Sequence, residues 1–261
     1  MNRDEGSTEV IVLGSGTSHG IPMIACTCAV CTSTDPRDIR TRPSIWVRMG
    51  ERRILVDTGP ELRQQCVTHK IDTLDAVLYT HHHADHVVGL DDLRRYNWLM
   101  EAPLPCYANQ LTTQHLENMF GYAFKADSRS PHSPPKLQLK VIDAEPFNVG
   151  DQTIIPIPLL HGTLPVLGFR FGRFAYCTDC NSIPQESLTL LENLDVLMID
   201  GLRRMPHPTH FNLEQAVEMA RIIKPRQTYF THIAHQLGHA EGSEDLPQGM
   251  ALAYDGLRFT I

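Results

Sequence analysis

Five side chains able to bind a metal fall within six consecutive positions, His81-His82-His83-Ala84-Asp85-His86, in an HxHxDH pattern. Imidazole and carboxylate groups suit zinc, manganese and iron, and drawing several from one short loop lowers the ordering entropy of gathering a coordination shell. A solvated polar loop would account for one His or a loose pair. It does not account for a dense cluster joined downstream by His161, Asp179 and His232. Each of these follows an apolar, strand-like run: Ile157-Pro158-Leu159-Leu160, Ala175-Tyr176-Cys177-Thr178 and Tyr229-Phe230-Thr231. Strand ends deliver side chains to a shared rim, and the chemistry to expect there is that of a dinuclear metal site.

A second cluster is Cys26-Thr27-Cys28-Ala29-Val30-Cys31. The chain has seven cysteines, an odd number, and Met1-Asn2-Arg3-Asp4-Glu5-Gly6 lacks the apolar core of a signal peptide, so a cytoplasmic location is expected and a disulfide framework is disfavoured. Three thiolates in six residues need one further ligand to close a tetrahedral zinc site, and it must come from elsewhere in the chain. Cys177-Thr178-Asp179-Cys180 has the CxxC spacing of a redox pair, but the helix-opening context and Trp-rich flank of such motifs are absent. Cys180 is instead expected close enough to the metals to be oxidised or to alter metal preference.

The elements that must position these groups are mostly strands. Glu9 to Leu13 alternates and runs into Gly14-Ser15-Gly16-Thr17-Ser18-His19-Gly20. The third glycine of a dinucleotide loop would fall at His19 and no helix follows, so these are turn residues and His19 is not required as a ligand. Further strands are predicted at Ser44 to Met49, Arg53 to Asp57, Ala76 to Tyr79, Leu104 to Ala108, Leu137 to Ile142, Gln152 to Pro158, Leu167 to Cys177, Val196 to Ile199 and Thr228 to Phe230. Helical spacing appears at Leu90 to Met100, Gln110 to Met119, Pro184 to Leu194 and most clearly from Leu213 to Ile223. Tyr254-Asp255-Gly256-Leu257 reads as a hairpin. The 261 residues suffice for one large domain, and Gly121 to Lys136 is aperiodic enough to form a mobile loop over a site. No apolar run approaches the ~20 residues that span a bilayer. A net charge of −7 disfavours general polyanion or membrane-surface binding, so a phosphate-bearing substrate must be held locally.

The ordered pattern HxHxDH, His, Asp, His, with Asp57-Thr58-Gly59 upstream, resembles the metallo-β-lactamase superfamily over nearly the whole chain. The resemblance implies an α/β fold of α+β type, a four-layer αβ/βα sandwich with metals between the edges of two sheets. It further implies that His81, His83 and His161 bind one metal and Asp85, His86 and His232 a second, with Asp179 bridging. His82 is aimed away by alternation along the loop and is expected to make a structural hydrogen bond. Three local features are similar to the phosphodiesterases that accompany carbon-phosphorus lyase: Gly14-Ser15-Gly16 through Cys31, Thr231-His232-Ile233-Ala234-His235-Gln236, and Tyr254-Asp255-Gly256. That likeness supplies His235 as the fourth ligand of a structural zinc with Cys26, Cys28 and Cys31. It also makes His210, in His207-Pro208-Thr209-His210-Phe211-Asn212, a general acid, against the plainer expectation that Thr209 or Asn212 caps a helix and His210 merely fits its first turn.

A phosphodiester resists attack because its anionic oxygens repel a nucleophile and hydroxide is scarce near neutrality. Two divalent ions, manganese or zinc with iron also suitable, about 3.5 to 4 Å apart can share a hydroxide and neutralise phosphoryl charge, with Asp85 and Asp179 among the catalytic groups. The expected activity is hydrolysis of a small cyclic phosphate or cyclic nucleotide. Alternatives are RNA processing, which expects a basic arm not evident in Gly121 to Lys136, thioester hydrolysis, and a non-hydrolytic binding relative, which expects depleted ligands. Arg203 and Arg204 could hold a second phosphate. The expected partner is a small phosphodiester, with no membrane and no extended nucleic acid; a homodimer stays open.

Overall fold

The computed structural model describes residues 7–124 and 134–261. Along these residues run β1 (Thr8–Gly14), β2 (Ser44–Met49), β3 (Arg52–Val56), α1 (Leu62–His69), β4 (Ala76–Leu78), α2 (Ala84–Val87), α3 (Arg94–Met100), β5 (Leu104–Ala108), α4 (Gln110–Phe124), β6 (Leu137–Val141), β7 (Phe147–Val149) and β8 (Gln152–His161). They continue through β9 (Leu164–Phe171), β10 (Phe174–Cys177), α5 (Gln185–Leu188), β11 (Val196–Asp200), α6 (Leu213–Ile223), β12 (Gln227–Thr231), α7 (His239–Glu244), β13 (Met250–Leu252) and β14 (Arg258–Thr260). The strands form two seven-stranded sheets, ordered β14-β1-β2-β3-β4-β5-β6 and β13-β12-β11-β10-β9-β8-β7.

Both faces of each sheet are covered, which is why several strands read as continuous apolar runs rather than alternating ones. In β1, Val10 and Val12 join an inter-sheet core with Ile45, Val56, Phe169, Phe171 and Tyr176, while Ile11 and Leu13 face an outer core with Leu62 of α1, Tyr96 of α3 and Leu116 of α4. The second sheet turns Ile157, Cys177 and Ile199 toward Leu213, Ala216 and Ala220 of α6. The layers are therefore helix, sheet, sheet, helix. Asn212 caps α6, accepting from the Gln215 amide at 2.8 Å while the Gln215 side chain accepts from the Asn212 amide at 3.0 Å.

Some expectations need correction. The single strand expected over Leu167 to Cys177 is the hairpin β9–β10, because Gly172 takes a left-handed φ of 58° and reverses the chain. The hairpin expected at Tyr254 to Leu257 is instead the crossing from β13 in one sheet to β14 in the other. Asp255 at that crossing accepts from the amide and hydroxyl of Ser15, both at 2.8 Å, and from those of Thr41 at 2.7 and 2.6 Å. It thereby pins both ends of a long irregular segment to the sandwich. The aperiodic stretch 121–136 divides: residues 121–124 close α4, and 125–133 lie outside the described residues. Among the described residues, no helix is long and apolar enough to cross a membrane.

Candidate metal centre

Strands β3, β4 and β5 are parallel in the first sheet, and β10, β11 and β12 are parallel in the second. Their carboxyl ends open at one edge of the sandwich, the usual position for functional loops of parallel sheets. Asp57 follows β3, the His81 loop follows β4, Asp179 follows β10, Asp200 ends β11 and His232 follows β12, while His161 ends β8. The Leu167 amide donates to the Thr80 carbonyl at 3.0 Å and ties the two sheets together beside the site.

Two groups of ligand atoms form there, each with all its members within 4.8 Å of one another: His81, His83 and His161, and Asp85, His86, Asp179 and His232. Asp179 also groups with His161 and His210, so it adjoins both. Its Oδ2 is 3.2 Å from His86 Nε2 and its Oδ1 is 3.1 Å from His232 Nε2; Asp85 Oδ2 lies 3.4 and 3.8 Å from the same nitrogens. The Nε2 atoms of His81, His86 and His232 are buried without a hydrogen-bond partner. Buried polar atoms are seldom left this way unless something else satisfies them, and several orphaned nitrogens facing carboxylates fit divalent cations.

The two carboxylates are balanced by the imidazoles around them: burial would lower His86, but Asp179, Asp85 and Asp57 raise it well above the usual imidazole range. Burial alone would raise the Asp85 carboxyl, but His86 and His232 hold it well below the usual carboxylate range; Asp179, more deeply buried, is held down by His232 and His86. Burial, and then neighbouring His86, depress His81, leaving it as the neutral imidazole that a metal requires.

Outer contacts orient most of the rings. His86 Nδ1 lies 2.7 Å from Asp57 Oδ2, and the Asp57 carboxylate also accepts from the Thr80 amide and hydroxyl, each at 2.8 Å. His81 Nδ1 meets Thr80 Oγ1 at 3.0 Å, and His161 Nδ1 meets the Thr209 carbonyl at 2.7 Å. Gly59 completes the Asp-x-Gly step for a steric reason: a Cβ there would sit 2.7 Å from the Asp85 carbonyl oxygen. Asp57, Asp179 and His232 all hold left-handed φ angles of 63°, 51° and 58°. Non-glycine residues in that region cost free energy and cluster at functional sites. Asp57→Asn, which replaces an acceptor with an amide donor, is expected to weaken the second cation position by about 10–100-fold, the range for outer-shell partners. Calorimetric manganese titration checks this; unchanged affinity would remove Asp57 from the site.

His210 is not in α6, because Asn212 caps that helix; instead its Nδ1 lies 2.7 Å from Asp200 Oδ2. Its ring stacks on His232 at 4.7 Å between centroids and meets His161 at 4.5 Å. Burial pushes His210 down, and Asp179 and Asp85 partly offset this. Asp200, an acid at the end of the apolar strand β11, carries the same sequence signal that singles out Asp179 but is not among the residues expected at the site.

The second cluster also assembles. Cys26, Cys28 and Cys31 place Sγ 3.4, 3.3 and 3.8 Å from His235 Nδ1. Bond lengths of about 2.3 Å to sulfur and 2.05 Å to nitrogen give a tetrahedral S···N edge of about 3.6 Å, so the four groups fit a closed zinc shell. The Cys31 amide and then the His235 ring lower the Cys28 thiol to about 6, toward the ligating thiolate.

Other expectations fare differently. Among the described residues His82 makes no structural hydrogen bond: it stacks flat on His115 of α4 at 3.8 Å, with Nδ1 buried and unpartnered. Cys180 turns its sulfur to the Cys177 carbonyl at 3.5 Å, inside the outer core of the second sheet and outside every metal-capable group among the described residues. Arg203 lies over the carbonyls of Met205 and Pro206, at 3.4 Å from each, and Arg204 pairs with Glu214 and Asp245. His19 lies exposed in a turn.

A beta-lactamase superfamily domain matches residues 52–233, and the chain belongs to that superfamily, with the metallo-β-lactamase fold. Within it the similarity is to the PhnP family: the crystal structure of a new diphosphatase from that family is 41% identical with a TM-score of 0.92, covering 98% of this chain and 97% of that one. An octanoyltransferase from Porphyromonas gingivalis (strain ATCC BAA-308 / W83) is 40% identical over 256 residues, 96% of this chain but 51% of that protein. The chain thus spans about half the length of that relative. Coenzyme PQQ synthesis protein B from Methylorubrum populi is 36% identical over 227 residues, 74% of this chain and 72% of that protein.

Proposed function

We propose that the protein is a metal-dependent phosphodiesterase acting on a small phosphodiester, with cyclic phosphates and cyclic nucleotides as the substrate class. The observation that carries this is the adjoining pair of ligand groups, His81–His83–His161 and Asp85–His86–Asp179–His232, with the His210–Asp200 pair against both. Divalent cations, when bound, supply activated water and neutralise phosphoryl charge. Asp179 sets the spacing of the two groups, while Asp57, Thr80 and the Thr209 carbonyl fix the tautomer and orientation of His86, His81 and His161. His210, its Nδ1 fixed on Asp200, presents Nε2 as the proton donor to the departing alkoxide. A cytoplasmic location is part of this proposal; a monomer and a homodimer are both compatible with it.

A diphosphate bond is the second reading, favoured by the diphosphatase of the PhnP family, because the same cation pair and proton donor serve a phosphoanhydride. Octanoyl transfer has less support. The relative so named has nearly half its length outside the match, and burial pushes the thiols of Cys177 and Cys180 far up, leaving no activated thiol near the site among the described residues. A non-hydrolytic role akin to a cofactor-synthesis relative would not need so complete a ligand set.

The test is turnover by manganese-loaded protein of a 2′,3′-cyclic nucleotide and bis(p-nitrophenyl) phosphate, beside a dinucleoside diphosphate and an octanoyl thioester, with Asp179→Ala as the blank. Turnover of the diesters, lost in the variant, is expected. Selective cleavage of the diphosphate would move the substrate class to phosphoanhydrides, and turnover of the thioester alone would overturn phosphoryl chemistry.

A further inference from the structure

Of the five buried imidazoles in the candidate centre, four have a hydrogen-bond partner for Nδ1: Thr80 for His81, Asp57 for His86, Thr209 for His161 and Asp200 for His210. His232 is different. Both of its ring nitrogens are buried and unpartnered, and its residue holds a left-handed φ of 58°. Stacking on His210 restrains the tilt of the ring and Asp179 Oδ1 lies 3.1 Å from Nε2, but no hydrogen bond among the described residues holds Nδ1 from behind. The backbone of the loop after β12 takes the place of that outer anchor in aiming the ring.

Beside the Ala234 amide, which donates to the Leu202 carbonyl at 2.8 Å, four contacts on that loop come from one segment. The Ile233 amide donates to the Ser15 carbonyl at 2.9 Å, and the Thr17 amide donates to the Ile233 carbonyl at 3.1 Å. Arg40 Nη1 donates to the Leu237 carbonyl at 2.9 Å, and the His239 amide donates to Asp38 Oδ1 at 2.7 Å. Ser15, Thr17, Asp38 and Arg40 all belong to residues 15–41, whose helical content is one three-residue turn, Pro36–Asp38. So long a segment without regular structure needs something to close it. Asp255 pins its ends, and its middle meets the loop at Cys26, Cys28, Cys31 and His235, three positions after His232.

We propose that the Cys26–Cys28–Cys31–His235 cluster is a positioning device for His232. With its metal in place it closes the segment that holds the loop, and so sets the cation position made by Asp85, His86 and His232 while leaving that of His81, His83 and His161 untouched. His81, His83 and His161 lie on other loops, with their own anchors for His81 and His161. This rests on the two cation positions proposed above, but not on the identity of the substrate.

The experiment is cation binding, read without turnover. Wild-type protein, Cys28→Ser and Cys28→His, which restores a zinc ligand, are stripped, given zinc at one equivalent, and titrated with manganese by calorimetry and electron paramagnetic resonance. The wild type is expected to bind two manganese ions with the exchange-coupled spectrum of a close pair. Cys28→Ser is expected to lose more than ten-fold affinity for one ion only, and with it the coupled spectrum, while Cys28→His recovers both. Equal weakening of both positions, or of neither, would overturn the proposal, as would a wild type that binds one manganese. If Cys28→Ser fails to fold, the same comparison is made by extracting the structural metal from wild type with a mercurial and following the coupled spectrum. Two coupled ions with no phosphodiester turnover would sink the proposed function and leave the positioning role standing.

Discussion

Asp179→Ala is expected to lower turnover of bis(p-nitrophenyl) phosphate by more than about 100-fold, the upper end of what outer-shell partners typically contribute at metal sites. The reason is positional. Asp179 is buried, groups with His161 on one side and with Asp85, His86 and His232 on the other, and has its Oδ2 fixed by the Thr178 hydroxyl at 2.8 Å. Its removal leaves Asp85, His86 and His232 without that charge, and two like-charged cations held by these groups would lose the carboxylate placed between them. Asp179→Asn keeps the volume and tests charge alone. Manganese stoichiometry distinguishes the outcomes. Loss of one cation together with activity supports the shared role; two cations retained with near wild-type turnover would remove Asp179 from the centre.

His210→Ala is expected to separate leaving groups. Proton donation contributes about 10²–10⁴-fold where the departing oxygen is strongly basic, and little where it leaves readily as nitrophenolate. The variant should therefore retain most of its activity on bis(p-nitrophenyl) phosphate and lose about 10²-fold or more on an alkyl or cyclic nucleotide diester. Asp200→Asn should show the same split to a smaller extent, because Asp200 acts on the reaction only through the 2.7 Å contact that holds His210 Nδ1. Equal losses on both substrates would assign His210 to binding or packing. Unchanged rates on both would leave His210 a structural neighbour of His161 and His232.

The residues of the candidate centre were legible because His81 to His86 crowd five metal-capable side chains into one short stretch, and because His161, Asp179 and His232 each stand at the end of an apolar strand. The shape of the fold was legible for a related reason: strands buried on both faces, such as β2, are near-continuous apolar runs, and α6 carries a strong 3.6-residue period. Short or weakly amphipathic elements were not. In α1 only Leu62, Gln65 and Cys66 are buried, so its pattern carries little signal, and β7 and β13 have three residues each. The turn at Tyr254-Asp255-Gly256 shows a different limit. Turn chemistry specifies a reversal but not which strands it joins, and this one passes from sheet to sheet.

By itself, the sequence determined which residues are equipped for metal chemistry, that three thiolates lack a fourth partner, and that the chain resembles metal-dependent hydrolases. Those properties reside in side-chain identity and local spacing. Tertiary structure alone decided that His210 faces Asp200 rather than fitting the first turn of α6, that His82 stacks on His115, that Cys180 turns into the core, and that His232 has no partner for Nδ1 among the described residues. Each of these depends on which distant backbone passes within about 3 Å, the length of a hydrogen bond, and a linear pattern does not encode that distance.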